Sequence, residues 1–356
     1  MSFSQALSGL SAQQQKLGAV GNNIANSQTV GFKSSNVQFA DVYAESRIGL
    51  GVRTSTVLQN FSQGNVESTN RNMDLAIAGE GFFRFQQTNG EVGYSRNGQL
   101  TMTSDGRLVN AQGAQIMGYP ADAEGNVQAG GNVQPMQVPP GDLQANATTE
   151  LDVSLNLAVN GRMSGGPAGG GNYDVDLGSL VFNQNGTLQA DNTNAAVFDD
   201  VEFGAGNPLE ELNVAMSFEG STQFANDSTV NNTVQDGYTS GALVGITIES
   251  DGTIMRNYSN EQSRAAGQVA LVSFRNPEGL KPEGDNLWTS TGASGQELVG
   301  SPGTGLLGMI EPSAVETSNV EMASELVDMI IAQRAYQANS QTISTQDELL
   351  QTIINL

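Results

Sequence analysis

Apolar residues recur along this chain with two different periods. Near the start, Phe3, Leu7, Leu10, Leu17 and Ile24 fall at spacings of four and three, with Gln14 and Gly21 breaking the series. That period predicts a helix with one apolar stripe over residues 3–26. Near the end, Met322, Leu326, Met329, Tyr336, Ile343 and Leu350 hold the same stripe, with Ile330 beside it and Gln333, Ser340 and Asp347 interrupting it. No Gly or Pro occurs from Ser313 to Leu356. Ser318 with Glu321 reads as a capping box that starts this second helix. At about 1.5 Å per residue it would reach roughly 55 Å.

Between the helices the period is two. Leu75 and Ile77 alternate with alanines, and Phe83 and Phe85 flank Arg84. Leu100 and Met102 lead through Ser104-Asp105-Gly106 to Leu108. Leu180 and Phe182 lead through Asn185-Gly186 to Leu188. Val244, Ile246 and Ile248 lead through Asp251-Gly252 to Ile254. Asp-Gly and Asn-Gly between alternating runs are short-range hairpin signals. The clearest strand is 151–157, where Leu151, Val153, Leu155 and Leu157 alternate with polar residues. One face of it is expected to be buried and the other wet. The only Trp, Trp288, lies in an Asn-Leu-Trp-Thr stretch that reads as a strand.

These patterns predict an α+β protein with paired, coiled-coil-like terminal helices and two mainly-β domains, the second inserted in the first. The helical part is expected over 1–30 and 315–356. An extended connector with short strands follows at 31–72. An inner β domain covers 73–139 and 243–314, and an outer β domain is inserted at 140–242. Pro135, Pro139, Pro140 and Gly141 mark the entry to the insert. A flexible loop is expected at Gly165–Gly171.

Composition narrows the chemistry. The 356 residues carry 37 acids against 14 bases, a net charge of −23, which argues against nucleic acid because phosphates need counter-charge. There is no Cys, hence no disulfide or thiolate chemistry, and no His, the commonest general base and transition-metal ligand. No run is long and apolar enough to span a bilayer, and the first residues lack the pattern of a secretory signal. That alone points to the cytoplasm, whereas the cysteine-free middle, rich in Asn, Gly and Thr, looks like an exported surface protein.

The chain ends are complementary in charge. Residues 1–40 carry Lys16 and Lys33 and no acid. Residues 315–356 carry Glu316, Glu321, Glu325, Asp328, Asp347 and Glu348 against Arg334 alone. Opposite sign favours pairing of the helices, while stripes diluted by Gln, Ser and Gly predict that they complete their burial only on assembly.

The residues Ala25-Asn26-Ser27-Gln28-Thr29-Val30-Gly31-Phe32-Lys33 resemble the Ala-Asn-x-x-Thr-x-Gly-Phe-Lys signature of flagellar rod and hook axial proteins. Asp74 to Phe83, Tyr94 to Gly98 with Gly118-Tyr119-Pro120, and Ser318-Asn319-Val320-Glu321 with Gln333 to Ser340 resemble further blocks of that family, in order. The resemblance covers about 1–120 and 243–356. Gly51 to Gly64 is similar to the hook version of the connector, and an insert of about 100 residues is expected of a hook-type member, whereas the distal rod protein lacks it. The resemblance implies a self-associating subunit of a curved, torque-transmitting tube. It also implies export without a cleaved signal peptide to an extracellular position in the flagellum. Implied partners are further copies, the rod, the hook cap, hook-filament junction proteins and the export apparatus, with no cofactor, no metal and no membrane insertion. Assembly roles are expected for Leu7, Leu10, Leu17, Ile24, Leu326, Met329, Ile330, Tyr336, Ile343 and Leu350.

Two other classes fit less well. A rod component shares the terminal blocks. An exported glycan-acting enzyme would use paired carboxylates such as Asp199 with Asp200, Glu210 with Glu211 or Asp347 with Glu348, but these read more simply as solvated charges of an acidic protein. Asp191 to Asp200 lacks the spacing of a calcium loop.

Overall fold

The computed structural model describes residues 3–43, 49–122, 125–157, 182–188, 196–201, 212–224 and 227–354. The chain divides into two compact units. The first comprises Met1–Pro140, Val244–Asn257 and Ser263–Leu356, and the second Gly141–Leu243 and Tyr258–Gln262. Glu210 with Glu211, the loop at Gly165–Gly171 and the start of the Asp191 to Asp200 stretch lie outside the described residues.

In the first unit, helix α1 spans Phe3–Ala25 and helix α2 spans Met322–Ile354. They lie antiparallel, because Asn23 bonds Glu325 near one end and Gly9 meets Asn339 farther along. The start of α2 departs from the expected capping box. The Ser318 hydroxyl accepts the N–H of Val320 at 3.3 Å, and the helix begins at Met322. The reason is local. The segment before α2 is held extended, with Ala314–Glu316 paired to a strand and Asn319 bonded to Ser34, Asn60 and Ser62, so helical geometry starts only after Val320.

The connector is more regular than its sequence suggests. Strands β1 (Ser35–Val42) and β2 (Gly51–Gln59) form an antiparallel hairpin with a register shift between Gln38 and Phe39. It lies along α1, where the Ser8 hydroxyl accepts the N–H of Val52 and the Gln5 amide donates to the Gly49 carbonyl. Among the described residues of this hairpin only Val37 is buried, so the strands show little alternation. Strand β3 (Val66–Ser68) then pairs with Ala314–Glu316.

The β body grows from β4 (Asp74–Ala78), β5 (Phe82–Gln86) and β6 (Val92–Ser95). In its main sheet Gln115–Pro120 pairs with β5, β5 with β6, β6 with Leu287–Thr289, and the last with Lys281–Gly284. Strand β4 lies in a smaller sheet between Gly98–Gln99 and Met309–Pro312. Leu75, Ile77, Phe83, Phe85, Leu100, Leu108, Ile116, Leu271 and Ile310 have no exposed surface and form the core. A second cluster holds Phe82, Tyr94, Phe274 and Trp288, with Phe61 edge-on to Phe82 at 5.4 Å. Trp288 donates its indole N–H to Gln59 at 2.5 Å, so the end of β2 is fastened to the sheet.

The hairpin turns form where Asp-Gly and Asn-Gly stand. Gly106, Gly186 and Gly252 have φ of 80°, 80° and 83°, a region that disfavours any side chain with a Cβ. Asp105-Gly106 joins Thr101–Met102 to Leu108–Val109, and Asn185-Gly186 joins Phe182 to Leu188.

In the second unit, Glu150–Leu157 has the strand Thr229–Gln235 on one side and Leu212–Ser217 on the other, with Ala196–Val201 beyond. Leu155 is buried there. Asp236 closes the far end, its carboxylate accepting the Thr149 hydroxyl at 2.5 Å and the N–H groups of Thr149 and Glu150 at 2.9 Å.

Candidate assembly surface and its buried junction

The two helices meet at Gly9 with Asn339, Lys16 with Asp328 and Asn23 with Glu325. On α1 the buried residues are Ala6, Ala12, Val20 and Asn23, and on α2 Ala332 is fully buried. A Cβ on Gly9 would come within 3.0 Å of the Asn339 amide. The Lys16 ammonium bonds Asp328 at 2.9 Å, and Asn23 donates to Glu325 at 2.9 Å.

The apolar stripe found in the sequence is divided between exposed and half-buried positions. Leu7 is 51% exposed, Leu326 46%, Ile330 50% and Leu350 56%, and Phe3, Val327, Ile331 and Leu349 join them outside. Leu10, Leu17, Ile24, Met329, Tyr336 and Ile343 are half-buried. Single exposed apolar residues on a surface carry no message, but a contiguous exposed apolar patch is a candidate association surface.

The signature residues build something different. Asn26 bonds back to Asn22 and accepts the Thr29 hydroxyl, so the chain turns sharply just past Ala25. Gly31, with φ of 71°, passes so close to Asn97 that a Cβ would lie 2.7 Å from its backbone nitrogen. Phe32 is half-buried. Lys33 does not face α2, as the charge pattern implied. It is fully buried and donates to Glu316 at 2.5 Å and to the Ser62 carbonyl at 2.6 Å.

Glu316 is equally buried. Its second carboxylate oxygen lies 3.2 Å from Arg96, its first also accepts the N–H of Gly64, and its carbonyl accepts the N–H of Gly31. Asn319 completes the joint, receiving the Ser34 N–H and donating to the carbonyls of Asn60 and Ser62. Val320 follows directly. Burial pushes Lys33 and Arg96 below their ordinary pKa, opposed by the attraction of Glu316. Four strands of chain therefore converge on one carboxylate: the exit from α1, the return of the connector, the end of β6 and the entry to α2. The charge pattern set Lys33 opposite a group of acids that includes Glu316, but it missed Arg96 as the second base on that carboxylate. The available signal was their position, Arg96 inside one family block and Glu316 two residues before another.

Among the described residues, no group of three acidic side chains is placed to hold a metal, and no helix is long and apolar enough to cross a membrane. Asp347 and Glu348 lie on the exposed side of α2, where Asp347 accepts the Gln351 amide.

Helices made from distant parts of the chain, a β body between them and this signature at their junction are the features of flagellar axial proteins. Matches to family models agree. They are the flagella basal body rod protein at 4–33, the flagellar hook protein FlgE/F/G D1 domain at 76–159, the flagellar basal body protein FlaE D2 domain at 155–238, and the flagellar basal body rod FlgEFG protein C-terminal region at 311–356. The chain is 39% identical over 407 aligned residues to the flagellar hook protein FlgE of Escherichia coli K12, covering all of both chains. It is 31% identical to that of Borreliella burgdorferi, covering 100% of this chain and 99% of the relative. The chain belongs to the flagellar hook protein FlgE family. The crystal structure of the Helicobacter pylori flagellar hook protein FlgE2 aligns with a TM-score of 0.47 and 13% identity over 70% of this chain and 100% of that one.

Proposed function

We propose that this chain is the structural subunit of the bacterial flagellar hook. It polymerises head-to-tail by a rotation that does not close, giving a curved tube that bends while passing torque from rod to filament. Residues 1–30 and 315–356 form the inner wall around an export channel. The inner β domain, 73–139 and 243–314, surrounds it, and the inserted domain, 140–242, lies outside. The subunit is extracellular, delivered without a cleaved signal peptide, and meets the rod, the hook cap, the hook-filament junction proteins and the export apparatus.

One observation carries this reading. The helices meet through Gly9 with Asn339, Lys16 with Asp328 and Asn23 with Glu325, and large apolar side chains of α2, among them Leu326, Ile330 and Leu350, remain exposed. Neighbouring copies are the partners that bury such side chains in a homopolymer. The buried Lys33–Glu316–Arg96 junction supports it as well, because load applied to the helices reaches the β body through a fixed joint.

Electron microscopy of basal bodies from cells lacking this gene tests the reading. Complete rods without hooks are expected. Truncated rods would move the protein to the rod.

A further inference from the structure

We propose that the strand Thr229–Gln235 is a docking edge that a second copy of this chain extends by β-pairing; the inference rests on the hook reading. The strand pairs with Glu150–Leu157 on one side and, among the described residues, with no strand on the other. All seven of its residues are exposed, Val230 by 67% and Val234 by 52%. Exposed sheet edges offer a row of unpaired N–H and C=O groups, and most proteins blunt them with lysine, proline or inward charges. This one, Thr-Val-Asn-Asn-Thr-Val-Gln, has none of these, only a one-residue irregularity opposite Ser154 and Leu155.

Charge selects the occupant. The second unit carries fifteen carboxylates and one arginine, a net charge of −14, so most approaches between two copies of it are repulsive. The run from Ser228 to Gln235, bounded by Asp227 and Asp236, is free of charge. It is where a second acidic unit approaches without placing like charges opposite each other, and its side chains supply amide and hydroxyl donors. The opposite edge of the same sheet, Ala196–Val201, contains Asp199 and Asp200 and is poorly suited to pair with itself. One neutral edge and one acidic edge fit a head-to-tail contact.

The strand is polar on both faces, and no continuous apolar face fixes its register. A neighbour is therefore able to engage it at positions two residues apart with similar contacts, which suits a contact that must adjust as a tube bends.

The test is hydrogen exchange of the peptide covering 229–235 in the dilute full-length chain and in sedimented tubes. Exchange in tubes is expected to slow by about tenfold or more. Tubes in which this peptide exchanges as fast as in the dilute chain would overturn the strand contact and leave the hook reading standing. Failure to form tubes would overturn both. As a second measurement, Val230→Asp with Val234→Asp places like charge on the edge and is expected to raise the concentration needed for assembly about tenfold. Val230→Thr with Val234→Thr keeps the edge neutral and should assemble as the parent does. Assembly of the double Asp variant at an unchanged concentration would also overturn the proposal.

Discussion

The Lys33 ammonium lies 2.5 Å from the Glu316 carboxylate, 283 residues away along the chain, and neither side chain has any exposed surface. Such a pair is costly to break from one side only, because the remaining charge stays buried.

Glu316→Gln leaves Lys33 and Arg96 facing each other without their common anion. A loss of about 3–5 kcal/mol is expected. Lys33→Met leaves Glu316 with Arg96 and the Gly64 N–H and should cost clearly less. Urea unfolding of both variants decides it, and equal losses would contradict the central role given to Glu316.

Gly31→Ala should be nearly as disruptive as a core truncation. The left-handed backbone alone costs about 1–2 kcal/mol for an L-residue, and the added methyl would press on the backbone of Arg96 and Asn97. A lowered thermal midpoint is the readout, and an unchanged one would show that the turn relaxes without cost.

Two faces of the helix pair are separable by mutation. Gly9→Leu forces a side chain against Asn339 and should weaken the pair in the dilute chain by about 1–3 kcal/mol, seen as lost helical signal. Leu326→Asp alters an exposed position and should leave the dilute chain within about 0.5 kcal/mol while abolishing tubes. Tubes formed by Leu326→Asp would refute the assembly face.

Stability should fall at alkaline pH through Tyr94. Burial, reinforced by its bond to Glu297, pushes the phenol well above its ordinary value of 10.0. The unfolded chain then gives up this proton first as pH rises past 10, so the native state is progressively disfavoured. Tyr94→Phe should flatten that decline in a pH series of urea midpoints.

At the acid end the sensitive group is Asp236. The Thr149 hydroxyl and the N–H groups of Glu150 and Thr149 hold its carboxyl down at about 2, against an ordinary 3.8. Its contribution is complete above 3.8 and disappears as pH falls through about 2. Asp236→Asn should remove this step from the acid unfolding of the second unit, followed by exchange of the 149–157 amides.

What the sequence revealed and what it hid divide along physical lines. The turns at Gly106, Gly186 and Gly252 were readable because a positive φ demands glycine locally. The core strands were readable because Leu75, Ile77, Phe83 and Phe85 must alternate. The helix periods were readable too, but not the pairing between the helices, where Gly9, Lys16 and Asn23 meet Asn339, Asp328 and Glu325. The hairpin of β1 and β2 was underestimated because α1 covers so little of it. The junction around Glu316 was invisible to any local pattern, since Lys33, Gly64, Arg96 and Glu316 become neighbours only through the fold.

The antiparallel pairing of α1 with α2 also orders events in time. Among the described residues the helix that packs on α1 is α2, so a chain formed from its amino end lacks the helix pair until Met322–Ile354 is present. A fragment stalled or cleaved before Met322 has neither the helix pair nor the exposed leucines of α2. Under the proposed hook function, the presence of α2 is thus expected to be a condition for joining the polymer.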